Sequence, residues 1–194
     1  ASPATNASSK QAKHPALKIP NARQLNVKNA FADQLSPFPN TMLSPEKFEV
    51  EAKKLGINKD SKLVVYDNLG IYSSPRVWWM FKMMGHQDIV VLNGGLDAWL
   101  EKKYPTVPKQ VQGSQVEYEL GNFIASPNPE YLINYEQVLQ NSIDKTFTIV
   151  DARSKERFEG IAPEPRADLQ SGQIPESVSI PYQSVLHDGM FKSE

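Results

Sequence analysis

Three arginines crowd one short stretch of the chain. Asp151 to Arg166 reads DARSKERFEGIAPEPR and spends Arg153, Arg157 and Arg166 among acids and prolines, directly after the apolar run Phe147 to Val150. A buried strand that ends in such a loop is where an α/β protein holds an anionic ligand, outside the carboxyl ends of its strands. Paired guanidiniums clamp a carboxylate or thiosulfonate through bidentate, charge-assisted bonds that lysine cannot reproduce. From charge pattern alone a second reading stands beside this one, a solvated ion-pair network of Arg157 and Arg166 with Glu156, Glu159 and Glu164. The chain has no cysteine. That excludes a disulfide framework, a thiolate zinc site and a cysteine nucleophile within these residues. His14, His86 and His187 lie too far apart to form a metal-ligand pattern.

The elements that would position this loop follow from local signals. Ser44-Pro45-Glu46 starts a helix, with Ser as cap, Pro at the first position and an acid in the first turn, and Gly56 ends it. Lys62 to Tyr66 reads as a short buried strand before Asp67. Ser74-Pro75-Arg76 opens a second helix, apolar nearly all round and so largely buried. Trp78, Trp79 and Trp99 are read as core side chains and His86 as a loop histidine. Ile89 to Leu92 is the next strand, and Gly94-Gly95 a tight turn into a helix over Leu96 to Lys102. Strand, helix, strand, helix at this spacing predicts a right-handed parallel βαβ unit. Further on, Asn134 caps a short helix to Asn141, Thr146 to Val150 and Ser177 to Ile180 are strands, and Arg153 to Phe158 is about one helical turn. A helix is expected to begin near Lys192.

Prolines at 105, 108, 127 and 129 with glutamine-rich text between them read as an inter-domain linker. The expected organisation is a first domain over 1–104, a linker over 105–130 with one extended piece at Gln115 to Leu120, and a second domain over 131–194. Lys18-Ile19-Pro20-Asn21-Ala22 echoes Gln173-Ile174-Pro175-Glu176-Ser177, so the halves read as an internal duplication. On that reading the first copy lacks its opening strand and helix, and the second lacks everything after its second strand. Such a polypeptide is expected to fold poorly alone, with an unpaired sheet edge and bare apolar faces.

Composition adds limits. The 194 residues are 40% hydrophobic and 22% charged, with formal net charge -1. Nothing favours nucleic acid or an anionic membrane as partner, and no apolar run approaches a membrane span. Compartment is left open. Ala1 to Lys13 reads as a flexible start, and its Asn6-Ala7-Ser8 triplet is a chance-level glycosylation pattern.

With those readings in place, the chain resembles the two-domain rhodanese and mercaptopyruvate sulfurtransferase family. The first half carries Ile19-Pro20, Ser36-Pro37-Phe38-Pro39, Val64-Val65-Tyr66-Asp67, Ser74-Pro75-Arg76-Val77-Trp78-Trp79-Met80 and Gly94-Gly95-Leu96-Asp97-Ala98-Trp99. The second carries Asp151-Ala152-Arg153, Arg157-Phe158-Glu159-Gly160, Pro163-Glu164-Pro165-Arg166 and Ser171-Gly172-Gln173-Ile174-Pro175. The resemblance implies a rhodanese-like α/β fold, parallel sheets covered by helices on both faces, in two tandem domains. It implies a cysteine that takes sulfur from an anionic donor, thiosulfate or 3-mercaptopyruvate, and passes it as a persulfide to a thiol or cyanide. By this alignment that cysteine falls beyond Glu194, and Asp67 occupies the equivalent place in the non-catalytic first domain. Arg157 and Arg166, nine residues apart, become the substrate ligands, and Arg166 resembles the mercaptopyruvate-type members. Arg76 is read as a buttress of the domain interface. No metal or organic cofactor is implied.

The chain departs from the family's His-Ile-Pro-Gly motif, with Lys18 and Gln173 for the histidine and Asn21 and Glu176 for the glycine. Positions that are commonly Asp and His in mercaptopyruvate-type members read Asn26 and Asn40. A rival to the enzyme is a rhodanese-like interaction or anion-binding module that has lost its nucleophile. Phosphatase and arsenate-reductase chemistry on this fold also needs a cysteine loop and gains no separate support.

Overall fold

The structure, a computed structural model, describes residues 13–109, 117–166 and 169–193. The described residues up to Leu132 form one compact unit and those from Ile133 onward a second. The Asn6-Ala7-Ser8 triplet and the first residues of the Gln115 to Leu120 piece lie outside the described residues.

In the first unit, helix α1 (Pro45–Lys54) begins as expected: the Ser44 hydroxyl accepts from the Lys47 N–H at 3.4 Å and Pro45 opens the helix. Phe48 and Ala52, one turn apart, are fully buried. Strand β2 (Leu63–Val65) pairs in parallel with β3 (Ile89–Val91), Val64 opposite Val90. Helix α2 (Ser74–Met83) connects them and packs on both, completing the βαβ unit. The β2–β3 pair buries Ile89 but leaves Val64 and Val90 more than half exposed on its other side. Helix α3 (Gly95–Glu101) follows β3 directly. Phe31, Phe48, Phe81 and Phe123 meet edge-on or tilted at 5.0–6.3 Å between ring centres, the arrangement that their ring quadrupoles favour. Met80 and Met84 fill the gaps between them.

His86 lies in the loop between α2 and β3, as read, but its side chain is not exposed. It is buried between Phe81 and Phe123, with Nε2 at 2.8 Å from the Ser61 carbonyl. Trp78 and Trp79 are partly buried against the core as read, and the Trp79 indole donates to the Tyr131 carbonyl at 2.8 Å. Trp99 packs away from that core, on Tyr104 at 4.8 Å.

The stretch expected as a linker over 105–130 takes part in the packing of the first unit. Strand β4 (Val107–Pro108) pairs antiparallel with β1 (Leu17–Lys18), and Phe123 sits in the core at 1% exposure. The N–H groups of Gly121, Ser126 and Asn128 donate to the carbonyls of Lys53, Met84 and Met83 at 2.9, 3.0 and 2.7 Å. These are carbonyls that helix C-termini leave without an intrahelical partner, so the strap caps α1 and α2 at once. Gly121 runs so close to Ile57 that a Cβ would lie 2.0 Å from its carbonyl oxygen.

In the second unit, helix α4 (Tyr135–Asp144) starts on a capping box: Asn134 accepts from the Gln137 N–H, and the Gln137 side chain accepts from the Asn134 N–H, each at 2.8 Å. The Asn141 amide grips the backbone of Phe147 at both N–H and carbonyl, 2.9 Å each. Strand β5 (Val150–Asp151) pairs in parallel with β6 (Val178–Ser179), and one turn of helix, α5 (Lys155–Phe158), follows β5. Thr146 to Ile149 lie outside the strand expected there. Strands β7 (Leu186–His187) and β8 (Met190–Phe191) form a hairpin through Asp188-Gly189, and the backbone after it is not helical through Ser193, where a helix was expected. Among the described residues this unit has no fully buried apolar side chain, and Tyr135, Leu139 and Ile143 form an exposed stripe along α4.

The two echoing segments fold alike. Ala22 N–H donates to Ile19 O and Ser177 N–H to Ile174 O, each at 3.1 Å. Asn21 and Glu176 hold positive φ, 62° and 60°. That is the left-handed region where glycine fits without strain.

Candidate functional site

Each unit places one charged constellation at the end of its parallel strand pair. In the second unit, Arg153 follows β5 and its guanidinium is nearly saturated. Nε lies 3.0 Å from both oxygens of Asp151, Nη2 donates to Asp151 Oδ2 and the Gly172 carbonyl at 2.6 Å, and Nη1 donates to Glu164 Oε1 at 2.7 Å. Arg157 stands on α5, which is capped by Ser154. It meets Glu164 side-on, with Nε 3.3 Å from Oε1 and Nη2 bonded to Oε2. The Glu164 side chain is only 3% exposed. Its hydrogen bond from Arg157 and the charges of Arg157 and Arg153 hold its carboxyl below the usual range. Asp151 is held down in the same way, chiefly by its hydrogen bond from Arg153.

Of the three glutamates in the sequence-level network, Glu164 is the one that joins Arg153 and Arg157. Glu159 contacts Lys155 instead, at 3.6 Å. The ion-pair reading of Arg157 holds at Glu164. Its Nε–Nη2 edge is bound to Glu164, which fixes the plane of the guanidinium and leaves Nη1 as the donor with no hydrogen bond among those described. Arg166 follows Glu164 by two residues, half-buried, and its carbonyl accepts from the Leu169 N–H at 3.2 Å. Arg153 is the residue whose part the sequence reading did not identify. Its alternation with Asp151, two residues back on the strand end, was the available signal.

In the first unit, Asp67 follows β2. One carboxylate oxygen accepts the Leu69 N–H at 3.0 Å, and the other accepts those of Tyr72, Ser73 and Ser74 at 3.0, 2.9 and 3.0 Å. Successive backbone N–H groups turned inward at a helix start make an anion cradle, here filled by the chain's own side chain. The Gly94-Gly95 turn fixes the loop from the other side. Gly95 has φ 59°, and a Cβ there would sit 2.5 Å from the Asp67 carbonyl and 2.6 Å from that of Gly70. Tyr66 accepts the Ile19 N–H at 3.0 Å and so ties the Ile-Pro segment to the strand end.

The two residues that depart from the mercaptopyruvate pattern have structural roles. Asn26 organises a turn by accepting the Asn29 N–H at 3.0 Å. Asn40, at φ 60°, presents its carbonyl to Arg76. Arg76 has no ion pair among the described residues, and burial lowers its pKa. No group of three or more possible metal ligands clusters among the described residues, and no helix there is long and apolar enough to cross a membrane.

A model of the rhodanese-like domain matches residues 9–102. The 3-mercaptopyruvate sulfurtransferase of Rattus norvegicus is 35% identical over 178 residues, 90% of this chain and 58% of that protein. The thiosulfate sulfurtransferase of the same organism is 38% identical over 179 residues, with the same shares. The chain thus spans somewhat under two thirds of the length of these curated relatives. Among solved structures, Tum1 from Saccharomyces cerevisiae superposes with a TM-score of 0.81 at 34% identity, covering 91% of this chain and 60% of that one. SseA from Escherichia coli, a 3-mercaptopyruvate sulfotransferase with the rhodanese fold, also gives 0.81, at 30% identity, covering 98% of this chain and 70% of that one. The strand-end loops, the fold and these relatives agree, and the chain belongs to the rhodanese-like family.

Proposed function

We propose that these residues serve sulfur transfer: a sulfane sulfur leaves an anionic donor, 3-mercaptopyruvate or thiosulfate, and passes through a cysteine persulfide to a thiol or cyanide. The thiolate must come from outside the 194 residues, since they contain no cysteine. Arg157 and Arg166 bind the donor's anionic end. The observation that carries this reading is the clamp of Glu164 on Arg157. A guanidinium whose rear edge is fixed by a buried carboxylate loses little conformational freedom when its remaining donors meet an anion. Arg153, saturated by Asp151, Glu164 and Gly172, supplies the frame.

A second reading, a rhodanese-like module that binds an anion or a protein and turns nothing over, is favoured by one observation. The cradle at the end of β2 is filled by Asp67, a poor sulfur acceptor. Intact mass of the polypeptide purified from its native source separates the two. A mass well above 21.8 kDa that rises by one sulfur atom on incubation with either donor supports sulfur transfer. A mass that matches these residues and is unmoved by either donor leaves the binding module.

A further inference from the structure

A groove of about 420 Å³ opens on the first unit between the turn over residues 29–35 and helix α1. Ala32 and Leu43 in its lining are buried, whereas Leu35 and Val50 stand at its rims, 86% and 50% exposed. Phe48 and Ala52 turn to the core from the same helix, so Val50 is an aliphatic residue on the outer side of α1, among Glu46, Lys47 and Glu51. Exposed aliphatic residues that share one groove, unlike scattered ones, mark an interaction surface. The wall opposite α1 is held firmly. The Gln34 amide reaches the carbonyls of Lys28, Asn29 and Ala32 at 2.7, 3.3 and 3.0 Å, and Asp33 Oδ1 accepts the Leu35 N–H at 3.1 Å. The Asp33 N–H in turn donates to the Thr41 carbonyl at 2.9 Å. Leu35 is therefore displayed on a backbone that is already fixed, which lowers the cost of engaging a partner.

The groove is also acidic. Among the described residues its lining sets the carboxylates of Asp33, Glu46 and Glu51 against the ammonium of Lys47. Lys47 lies 3.9 Å from Asp33, and Lys54, outside the lining, lies 2.6 Å from Glu51. Both ammoniums are more than half exposed, and such surface pairs are weak enough to be exchanged for a partner's cation. Glu46 has no ion pair among the described residues. This lining would repel an anionic lipid surface, and an open groove encloses too little of a small molecule to hold it well. We propose that the groove docks a short segment of another protein, in which one or two aliphatic side chains are flanked by lysine or arginine. The aliphatic side chain fills the space between Leu35 and Val50, and the flanking cations meet Glu46 and Glu51. Neither Arg157, Arg166 nor Asp67 takes part, so this docking stands or falls apart from the sulfur-transfer reading.

The test titrates the 194-residue chain with a short amphipathic peptide of leucine and lysine, followed through its backbone amide NMR signals, and repeats this with the lysines replaced by glutamate. Saturable binding of the lysine peptide is expected, with the shifted signals falling within residues 29–51, and no binding of the glutamate peptide. Leu35→Asp and Val50→Asp should each weaken it by about tenfold or more, as the loss of a central apolar anchor does. Glu46→Gln combined with Glu51→Gln should weaken it about three- to tenfold and flatten its dependence on salt. All four side chains project from the surface or the groove rim, so the variants keep the fold, which their amide spectra verify. Leu139→Asp, on the exposed stripe of α4, should leave the binding unchanged. Absence of binding overturns the proposal, as does equal binding of the glutamate peptide or indifference to the changes at Leu35 and Val50. A chain that self-associates in solution and returns to a monomer in Leu35→Asp overturns it as well, because a second copy would then be the occupant.

Discussion

At the scale of single residues, Glu164 is the most consequential side chain outside the proposed ligands. Its carboxylate joins Arg153 to Arg157 with little solvent access. Glu164→Gln should loosen Arg157 and weaken donor binding about three- to tenfold, read by calorimetric titration, with the chain still folded. The pH dependence has a definite sign. Glu164 and Asp151 both have folded-state values below their ordinary ones. Their stabilisation is therefore complete above the ordinary carboxylate range and is lost as pH falls through the depressed folded values. Amide-exchange protection factors, taken relative to the intrinsic rate at each pH, should fall around residues 151–164 in that acid window, and Glu164→Gln should flatten the response. Glu176 adds a separate prediction. It holds φ 60°, a conformation that costs a side-chain-bearing residue about 1–2 kcal/mol. Its exposed pair with Lys145 at 2.7 Å returns little. Glu176→Gly should stabilise the second unit by about 0.5 kcal/mol after glycine's extra unfolded-state entropy is counted, measured by urea denaturation.

Elements decide where those residues stand. The first helix, the βαβ order and the Gly94-Gly95 turn were legible in the sequence, because Ser-Pro-Glu starts, alternating apolar runs and paired glycines act through local geometry. The strap over 121–128 was not. Its proline and polar residues look like linker text, and its role lies in backbone N–H groups that cap helix ends far away in sequence. Only Phe123, a lone aromatic in that text, hinted at burial. The candidate site was legible by half. Arg157 and Arg166 stood out by type and spacing, while the Glu164 clamp depends on which of three nearby acids the loop turns inward. Gly95→Ala tests the element scale. The added methyl meets two carbonyls in a left-handed turn, so a loss of about 2–4 kcal/mol in thermal or urea unfolding is expected. A surface glycine such as Gly160, with no neighbour closer than 3.7 Å, should tolerate the same change with about 1 kcal/mol lost to its positive φ.

Across the whole molecule the two units differ in what holds them. The first has a ring of buried phenylalanines and methionines, whereas the second is ordered by its capping box, the Asn141 grip and the Arg153 network. Buried apolar area is the dominant source of cooperativity. Amide exchange should therefore show its slowest protons within residues 45–91 and little protection beyond Ile133. Equal protection in both halves would mean that the second unit has a core of its own. Anion binding should report on the second unit alone, and the most direct measurement is a calorimetric titration of the 194-residue chain with thiosulfate and with 3-mercaptopyruvate, repeated on Arg157→Met. Saturable binding that weakens by about tenfold or more in the variant is expected, as charged hydrogen bonds of about 1.5–3 kcal/mol imply. Binding indifferent to Arg157, or none for either anion, would contradict the assignment of this loop as the donor site.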